Sequence, residues 1–339
     1  MITLMDVARA AGVSRSAVSK ALLGGGGQTT KVSYEKILHI RKVAQQLGYR
    51  PNLIAQRLAS PRQNIIGLIV DSQCCNLYRD VLSSIEHLTS ESGFRIQVGL
   101  VHDNFEVIRR YVDDFLGYDI QNIICLAHYY DFAEKVPPLF RAFRNPVFIS
   151  KPMTDEPFSF VSPDYYATFY DGVSRLLAMG HRRIIFVKTV YCTYDAEIRA
   201  KAFRDAHRDA GVPMTEDQIY RKPVYELDSN DLMTRFLDDV LPMHPDAFIL
   251  GSKNGVTLCI RHLAERGIAV PKDLSLMAME NWHSSSSLIP SIAVMDNNAD
   301  AIAEETFKLI IGNIGKDHPE TRQIFVKGHI IPGESCIQR

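Results

Sequence analysis

The chain has 339 residues, of which 46% are hydrophobic and 23% are charged. These proportions are typical of a globular protein and exclude a largely disordered chain, a collagen-like repeat and a disulfide-dense miniprotein. No apolar run approaches the ~18 residues of a membrane span, and the N-terminal residues lack the apolar core of a secretory signal. The six cysteines form no C-x-x-C pair, so we expect reduced cytosolic thiols and no bound metal.

The net charge of −1 conceals an uneven distribution along the chain. Residues 1–62 contain ten lysines and arginines but only two acidic residues, Asp6 and Glu35. The rest of the chain is therefore net acidic. A basic segment on an acidic body indicates a polyanion-binding module joined to a part that does not bind polyanions, although a solvated basic surface without a partner would have the same charge.

The first residues predict two short helices separated by a turn. Apolar residues recur at helical spacing from Leu4 to Ala11, and Gly12 follows as a helix-ending glycine. Ser14 can cap a second helix, SRSAVSKAL, by accepting a hydrogen bond from a free backbone N–H. Two such helices form a helix-turn-helix, which places the start of its second helix in the DNA major groove. An ordinary helical hairpin is the alternative.

The second helix carries the residues that we expect to contact DNA. Arg15, Ser16 and Ala17 stand at its start, where side chains meet base edges. Ser19 and Lys20 follow and would lie nearer the phosphates. Ser14, as the capping residue, belongs to the same surface.

A third helix and a short linker complete the basic segment. Ser33 begins the third helix, which ends near Gly48. Residues 52–58 of the following YRPNLIAQRLAS segment allow barely two further helical turns. Because isolated helices of this length are marginal in water, we expect this segment to become ordered only when something holds it.

Two spaced motifs resemble the LacI/GalR family of bacterial repressors. They are D-V-A-x-x-A-G-V-S-x-x-x-V-S-K at 6–20 and G-Y-R-P-N-x-x-A-x-x-L at 48–58. The resemblance continues through I-G-L-I-V at 66–70, M-G-H-R-R-I at 179–184 and G-I-A-V-P-K-D-L-S at 267–275. It implies a cytoplasmic homodimer that represses transcription from a pseudo-palindromic operator, responds to a small-molecule effector and needs no cofactor.

The resemblance also assigns roles within residues 50–62. Leu58 matches the leucine that wedges into the minor groove at the operator centre, and Ala55 and Asn52 belong to the same hinge helix. Such a wedge costs a few kcal/mol of base unstacking, which contacts on the kinked duplex offset. A buried linker leucine is the alternative for Leu58. The loop LLGGGGQTTKVS departs from the family because it is about four residues longer than usual, and its glycines make it flexible.

From residue 64 onward, apolar β-rich runs alternate with helical stretches. The runs that predict strands are NIIGLIV, FRIQVGL, QNIICLA, NPVFIS, RRIIFVK, DAFIL and LSLMAM. The stretches that predict helices are 77–92, 104–117, 132–143, 165–180, 195–210, 228–241 and 252–267. This alternation favours parallel sheets in doubly wound α/β units, which bind ligands at the carboxyl ends of their strands.

The resemblance implies an all-α, lambda-repressor-like helix-turn-helix headpiece and an α/β, periplasmic-binding-protein-like type I body with two doubly wound lobes. We assign the headpiece to 1–49, the hinge to 50–62 and the effector-binding and dimerisation domain to 63–339. Within that domain we assign lobe 1 to about 63–161 and 292–321, and lobe 2 to about 162–291 and 322–339. The chain would then cross between lobes near 161, 291 and 322.

The cleft between the lobes is the expected effector site. The resemblance matches Arg199 to a family arginine that reads sugar hydroxyls, Asp164 to an interlobe aspartate and Tyr78 to an aromatic of the lobe 1 wall. Ser150 replaces a common aspartate. The full set that we expect at the cleft is Gln73, Tyr78, Ser150, Lys151, Asp164, Lys188, Arg199, Phe203, Ser252, Lys253, Glu280 and Trp282.

Three lysines suggest the charge of the effector. Lys151, Lys188 and Lys253 all follow strand ends, and with Arg199 they could form a cationic cleft. Because charge-assisted hydrogen bonds to an anion are strong, we hypothesise an acidic effector such as a sugar acid, a sulfated sugar or a sugar phosphate. The alternatives are that the lysines face solvent or pair with Glu280 and nearby acids, or that no small molecule acts.

The sequence offers no sign of an enzyme. It contains no G-x-S-x-G, no Walker loop, no G-x-G-x-x-G after a strand and no H-E-x-x-H. We expect His181 to have a structural role at a helix end, and we do not expect Cys74 and Cys75 to pair, because adjacent cysteines rarely meet disulfide geometry. A solute-binding protein for transport remains the main alternative for the body.

Overall fold

The computed structural model describes residues 2–23, 32–50, 64–127, 130–188, 193–221, 227, 229–251 and 253–339. The chain divides into two compact units, Met1–Asn64 and Ile65–Arg339. Among the described residues, no helix combines the length and the apolar character needed to cross a membrane.

The first unit contains three helices. They are α1 (Leu4–Ala11), α2 (Arg15–Leu23) and α3 (Tyr34–Gln46). Thr3 and Asp6 form a capping box at the start of α1, and Gly12 ends that helix with a φ of 65°, a left-handed value that glycine adopts readily. Ser33 caps α3 by accepting a hydrogen bond from the Lys36 amide. The helix boundaries expected from the capping residues are confirmed, whereas the Thr3–Asp6 box was not anticipated.

The three helices enclose a small apolar core. Val7, Val18 and Ile40 contribute one fully buried side chain from each helix. Alanines and partly buried aliphatic side chains surround them. Burying one face of each helix leaves the opposite faces, which carry most of the charge, in solvent.

Lobe 1 of the second unit is a six-stranded sheet with all neighbouring strands parallel. Its strands are β1 (Ile65–Asp71), β2 (Arg95–Val101), β3 (Asn122–Cys125), β4 (Asn145–Ile149), β5 (Ser159–Pro163) and β11 (Gln323–Val326), in the order β11-β5-β4-β3-β1-β2. Its helices are α4 (Asn76–Glu91), α5 (Phe105–Gly117) and α10 (Ala299–Asn313). Helices α4 and α10 pack on one face and α5 on the other, so both faces are covered.

Lobe 2 has a second six-stranded sheet, parallel except for one antiparallel edge pair. Its strands are β6 (Ile184–Val187), β7 (Ile219–Tyr220), β8 (Ala247–Leu250), β9 (Ser275–Ala278), β10 (Ala293–Asp296) and β12 (His329–Ile331), in the order β12-β10-β9-β8-β6-β7. Its helices are α6 (Tyr165–Ala178), α7 (Thr193–Asp209), α8 (Asn230–Val240) and α9 (Lys253–Glu265). Helices α6 and α7 cover one face, and α8 and α9 cover the other.

The chain crosses between the two sheets three times, a few residues later than expected. The crossings follow β5, β10 and β11, so residues 293–296 belong to lobe 2 and residues 323–326 to lobe 1. The expected crossings near 161, 291 and 322 precede the ends of these strands, because the apolar patterns of the three strands were not recognised. The fold class is confirmed, with two doubly wound lobes.

One expected helix is also wrong. Residues 132–143 form two short 3₁₀ helices, Ala133–Lys135 and Pro137–Ala142. Two consecutive prolines, Pro137 and Pro138, lack the amide hydrogens that an α-helix requires beyond its first turn.

Candidate functional sites: a nucleic-acid interface and an interlobe cleft

The start of α2 is held by a side-chain cap. Ser14 Oγ accepts a hydrogen bond from the Ala17 amide at 3.2 Å and lies 2.9 Å from Ser16 Oγ. Ser14, Arg15 and Ser16 are exposed, whereas Val18 is buried against the other helices. The helix therefore presents its first turn to solvent, which is the geometry that a recognition helix needs.

The remaining expected contacts of α2 lie beside this first turn. Ala17, Ser19 and Lys20 are each partly exposed. Exposed basic side chains elsewhere in the first unit are Arg9, Lys36, Arg41, Lys42 and Arg50. The acidic Asp6 is engaged with Thr3, whose hydrogen bond lowers the pKa of the carboxyl below its usual value. Nearly all the charge offered to a partner by this unit is positive.

Three expected DNA contacts, Asn52, Ala55 and Leu58, lie outside the described residues. The same holds for the glycine-rich loop at 24–30 and for the expected cleft residue Ser252. Their assignments therefore remain predictions.

In lobe 1, two expected cleft residues are hydrogen-bonded to each other. The Tyr78 hydroxyl, on α4, donates a hydrogen bond of 2.9 Å to Oγ of Ser150, the residue directly after β4. Ser150 is fully buried and has a φ of 69°, a left-handed value that is uncommon for a residue other than glycine. Such strained residues concentrate at functional sites, so the end of β4 is a sound candidate. Lys151 is partly buried beside it, and Gln73 is exposed.

A second polar cluster in lobe 1 was missed in the sequence. The Tyr130 hydroxyl donates to Asp71 Oδ2 at 2.6 Å, and His102 Nδ1 lies 3.1 Å from Asp71 Oδ1. Burial, reinforced by the bond to Asp71, raises the pKa of the Tyr130 hydroxyl well above its usual value. The signal was available, because Asp71 ends β1 and carboxyl ends of parallel strands carry ligand sites.

In lobe 2, Asp164 and Arg199 both contact the first turn of α6. Asp164 caps α6 by accepting a hydrogen bond from the Ala167 amide at 2.9 Å. The Arg199 guanidinium lies 4.1 Å from the centre of the Tyr165 ring, within cation–π range. Burial raises the pKa of the nearby Asp195 to about 6, while the Arg199 charge opposes this rise.

The expected lysines do not form one cationic group. Lys188 is paired with Glu197, as one of the sequence alternatives anticipated. Lys253 begins α9 and is exposed, and Glu280 is partly exposed after β9. Of the three lysines, Lys188 is therefore the one whose charge is neutralised by a neighbouring acid.

Phe203 and Trp282, which the sequence predicts at the cleft, are buried in the apolar clusters of lobe 2. Phe203 is fully buried, with its ring centre 5.9 Å from that of Phe186 and 4.3 Å from that of His207. Trp282 is 4% exposed within the apolar cluster that includes Leu250 and Ile292. Both follow the expected pattern in sequence, but their side chains fill the interior of lobe 2.

A cavity of about 350 Å³ lies between the lobes. Lobe 1 contributes residues of α4 and the start of α10, and lobe 2 contributes the segment after β9 and His329. His283 Nδ1 of lobe 2 lies 3.9 Å from Asp80 Oδ1 of lobe 1 across this cavity. The cavity is large enough for a small polar molecule.

A basic helix-turn-helix unit joined to a two-lobed α/β body is the architecture of a DNA-binding regulator. Residues 3–52 match the family "Bacterial regulatory proteins, lacI family", and residues 173–336 match the "Periplasmic binding protein-like domain". Catabolite control protein A of Priestia megaterium is 25% identical over 293 residues, which cover 86% of each protein.

Solved structures share the fold along nearly the whole chain. The lac repressor dimer bound to operator and the anti-inducer ONPF matches with a TM-score of 0.77 and 19% identity over 99% of both chains. A complex of the transcriptional regulator CelR with cellobiose matches with a TM-score of 0.71 and 21% identity, over 99% of this chain and 100% of CelR.

The chain carries a lacI-family DNA-binding domain and a periplasmic-binding-protein-like domain, and it resembles LacI/GalR-type transcription regulators along most of its length. It is accordingly a DNA-binding transcription regulator and not an enzyme. The solute-transport alternative considered for the body is not supported, because the DNA-binding family match covers the basic N-terminal unit.

Proposed function

We propose that this regulator binds a specific operator through α2 and releases or retains it according to an effector held between its lobes. The observation that carries the proposal is the exposed first turn of α2, which Ser14 caps at its start. Arg15, Ser16 and Ala17 read base edges in the major groove, and Ser19 and Lys20 contact phosphates. Asn52, Ala55 and Leu58 act in the hinge, with Leu58 as the minor-groove wedge.

The regulator works as a homodimer in the cytoplasm, where chromosomal DNA is accessible. Support comes from the lac repressor structure, which is a dimer on operator DNA and shares the fold of this chain. Two headpieces would bind two half-sites of a pseudo-palindrome, because operator symmetry mirrors protein symmetry. Light scattering of the purified chain, free and with operator, tests the dimer.

The effector is a sugar or sugar derivative. Support comes from CelR, which shares the fold and was solved with cellobiose, and from the polar groups at the strand ends of this chain. Arg199, Asp164, Tyr78 and Ser150 are the side chains we assign to its recognition. Gln73, Lys253, Glu280 and Ser252 belong to the outer part of the same site.

The effector carries a negative group that contacts Lys151 and Arg199. Ser150 supports this, because a hydroxyl at the end of β4 does not repel an anion as a carboxylate would. Lys188 contributes less, since Glu197 already pairs with it. Calorimetric titration with gluconate, which is anionic, and with glucose, which is neutral, distinguishes an acidic effector from a neutral one. If glucose binds tightly and Lys151→Met does not change its affinity, the proposal of a negatively charged effector is wrong, whereas the proposal of a sugar site stands.

Footprinting on the DNA upstream of the chain's own gene tests the proposal as a whole. We expect a protected palindrome whose affinity falls steeply as salt rises, because phosphate contacts release counterions. Equal binding to every fragment, whatever sugar is added, would contradict the proposed function.

A further inference from the structure

Lobe 2 buries two histidines, and three of their four ring nitrogens lack a hydrogen-bond partner. His181 and His207 are both 0% exposed. Over the described residues, the buried side-chain nitrogen and oxygen atoms without a hydrogen-bond partner are His181 Nδ1, His181 Nε2, His207 Nε2 and Asp246 Oδ1. His181 Nδ1 lies 3.4 Å from Asp246 Oδ1, and the Asp246 charge also acts on His207. Since buried polar groups normally have partners, this cluster needs an explanation.

The hydrogen bonds around the cluster show what is missing. His207 Nδ1 lies 2.9 Å from the Phe203 carbonyl, which can only accept, so the proton is on Nδ1 and Nε2 is a bare acceptor. Asp246 Oδ2 accepts from the amides of Arg182 and Arg183 at 2.7 and 2.9 Å, and Oδ1 remains. His207 Nε2 is therefore an acceptor without a donor, and Asp246 Oδ1 has only His181 Nδ1 beside it, at 3.4 Å.

The charged side chains near the cluster already form hydrogen bonds or ion pairs with other groups. The Arg182 guanidinium donates to the Leu177 and His181 carbonyls, and the Arg183 guanidinium donates to the Met243 carbonyl. On the α7 side, Arg204 pairs with Glu216, and Arg208 pairs with Asp205 and Asp209. No group of metal-ligating side chains among the described residues has a geometry suited to a metal ion. A proton is a group that these acceptors can bind.

Burial sets the protonation of the cluster at neutral pH. Burial lowers the pKa of His207, while the bond to Phe203 and the Asp246 charge oppose this shift. For Asp246, burial favours a higher pKa, but hydrogen bonds from His181 and from the Arg182 and Arg183 amides outweigh it and lower the pKa. The ground state is then a neutral His207 near an ionised Asp246.

We propose that His181, Asp246 and His207 form a buried proton-binding site that couples mildly acidic pH to the effector cleft. Protons reach it from a surface cavity of about 320 Å³ that His207 lines together with Arg204, Arg208 and Glu216. The coupling part rests on the proposed effector site, whereas the proton site itself does not.

The coupling follows from the elements that the cluster joins. Arg182 and Arg183 directly precede β6, which leads to Lys188, and Asp246 directly precedes β8. His207 stands on α7, the helix that carries Arg199. A proton that changes the spacing of the cluster therefore acts on three elements that each lead to the cleft.

The first test is the pH dependence of unfolding of the full chain and of His207→Leu. Leucine removes the bare acceptor and retains an apolar side chain of similar size. As pH falls from about 7.5 to about 5.5, we expect the melting temperature of the wild type to drop by about 3 °C more than that of the variant. The matched control is His318→Gln at an exposed histidine, which should keep the wild-type slope. Parallel slopes in all three proteins would overturn the proton site.

NMR titration of the histidine ring protons of the wild type provides a second readout if His207→Leu does not fold. We expect the ring signals of one buried histidine to change at a lower pH than those of the exposed histidines. The signals of a second buried histidine should broaden over the same pH range. Two buried rings that show no titration before unfolding would also overturn the site.

The coupling is tested by the fluorescence of Trp282, the only tryptophan of the chain. Trp282 follows β9 in the cluster that contains the end of β8. We expect a pH-dependent emission change in the wild type that His207→Leu abolishes and that His283→Gln, next to the tryptophan, retains. An emission change that persists in His207→Leu would overturn the coupling, and neither result bears on operator binding.

Discussion

In the headpiece, the hydrogen bond that caps the DNA-facing helix joins residues three apart, Ser14 and Ala17. In the body, the bond between the two proposed cleft residues of lobe 1 joins Tyr78 and Ser150, which are 72 residues apart. The headpiece therefore positions its functional side chains through local rules of helix capping. The body positions them through two sheets and three crossings, so any change in a lobe's core reaches the cleft.

The Phe203→Ala substitution tests this difference with the largest expected effect. Removing a fully buried aromatic ring leaves a cavity among Phe186 and His207, so we expect the free energy of unfolding of the body to fall by about 3–5 kcal/mol. Denaturant unfolding measures it. Phe325→Ala is the matched control, because that ring is 53% exposed.

The Phe203→Leu variant separates the core from the cleft. It should fold and bind effector with wild-type affinity, since leucine refills most of the space. A folded Phe203→Leu protein that no longer binds effector would restore Phe203 to the cleft.

The Arg15→Ala substitution tests the local side of the comparison. We expect operator binding to weaken by about 1–3 kcal/mol, roughly 5- to 150-fold, because a base-reading arginine is lost. The body should melt as before. Fluorescence anisotropy with operator and with scrambled DNA measures both affinities.

Arg41→Ala serves as the control, because Arg41 is an exposed arginine of α3. It should change binding to both DNAs by the same small factor. If Arg15→Ala also weakens both DNAs equally, Arg15 contacts phosphate and does not read bases.

The Tyr78→Phe substitution tests the long-range side. It leaves the Ser150 hydroxyl buried without its donor, so we expect a loss of about 1 kcal/mol and a decrease in melting temperature of about 2–4 °C. Tyr118→Phe, at a 53% exposed tyrosine, should have no effect. Identical melting of Tyr78→Phe and the wild type would show that this bond does not stabilise lobe 1.

The same contrast explains what the sequence could predict. The caps at Ser14 and Ser33 lie within three residues of the amides they bind, so pattern reading found them. The alternation of strands and helices is likewise a pattern of neighbouring residues, and it predicted two doubly wound lobes. The strands β5, β10 and β11 were missed because their short apolar patterns were not recognised and a local pattern does not contain the strands with which they pair.

The proposed cleft residues show more clearly what a sequence pattern cannot predict. Arg199 and Phe203 stand one helical turn apart on α7, yet Arg199 stacks on Tyr165 and Phe203 fills the core. The two side chains lie on the same side of α7, so their different surroundings depend on how each turn of α7 packs against α6. Likewise, the pairing of Lys188 with Glu197 and the isolation of His207 from any donor depend on side-chain positions that spacing alone does not determine.

The smallest expected effect concerns the capping box at the start of α1. The hydrogen bond from Thr3 lowers the pKa of Asp6, so ionised Asp6 stabilises the folded headpiece above the unfolded pKa of about 3.9. This stabilisation is lost as pH falls through the folded pKa. We expect Asp6→Asn to remove that part of the acid sensitivity, whereas Glu35→Gln, at an exposed acid in the first turn of α3, retains it. Amide NMR of the full chain from about pH 6 to about pH 3 follows α1 directly. If the α1 amides of the wild type and Asp6→Asn shift in parallel, the box does not hold the helix, and the local rule fails where it should apply best.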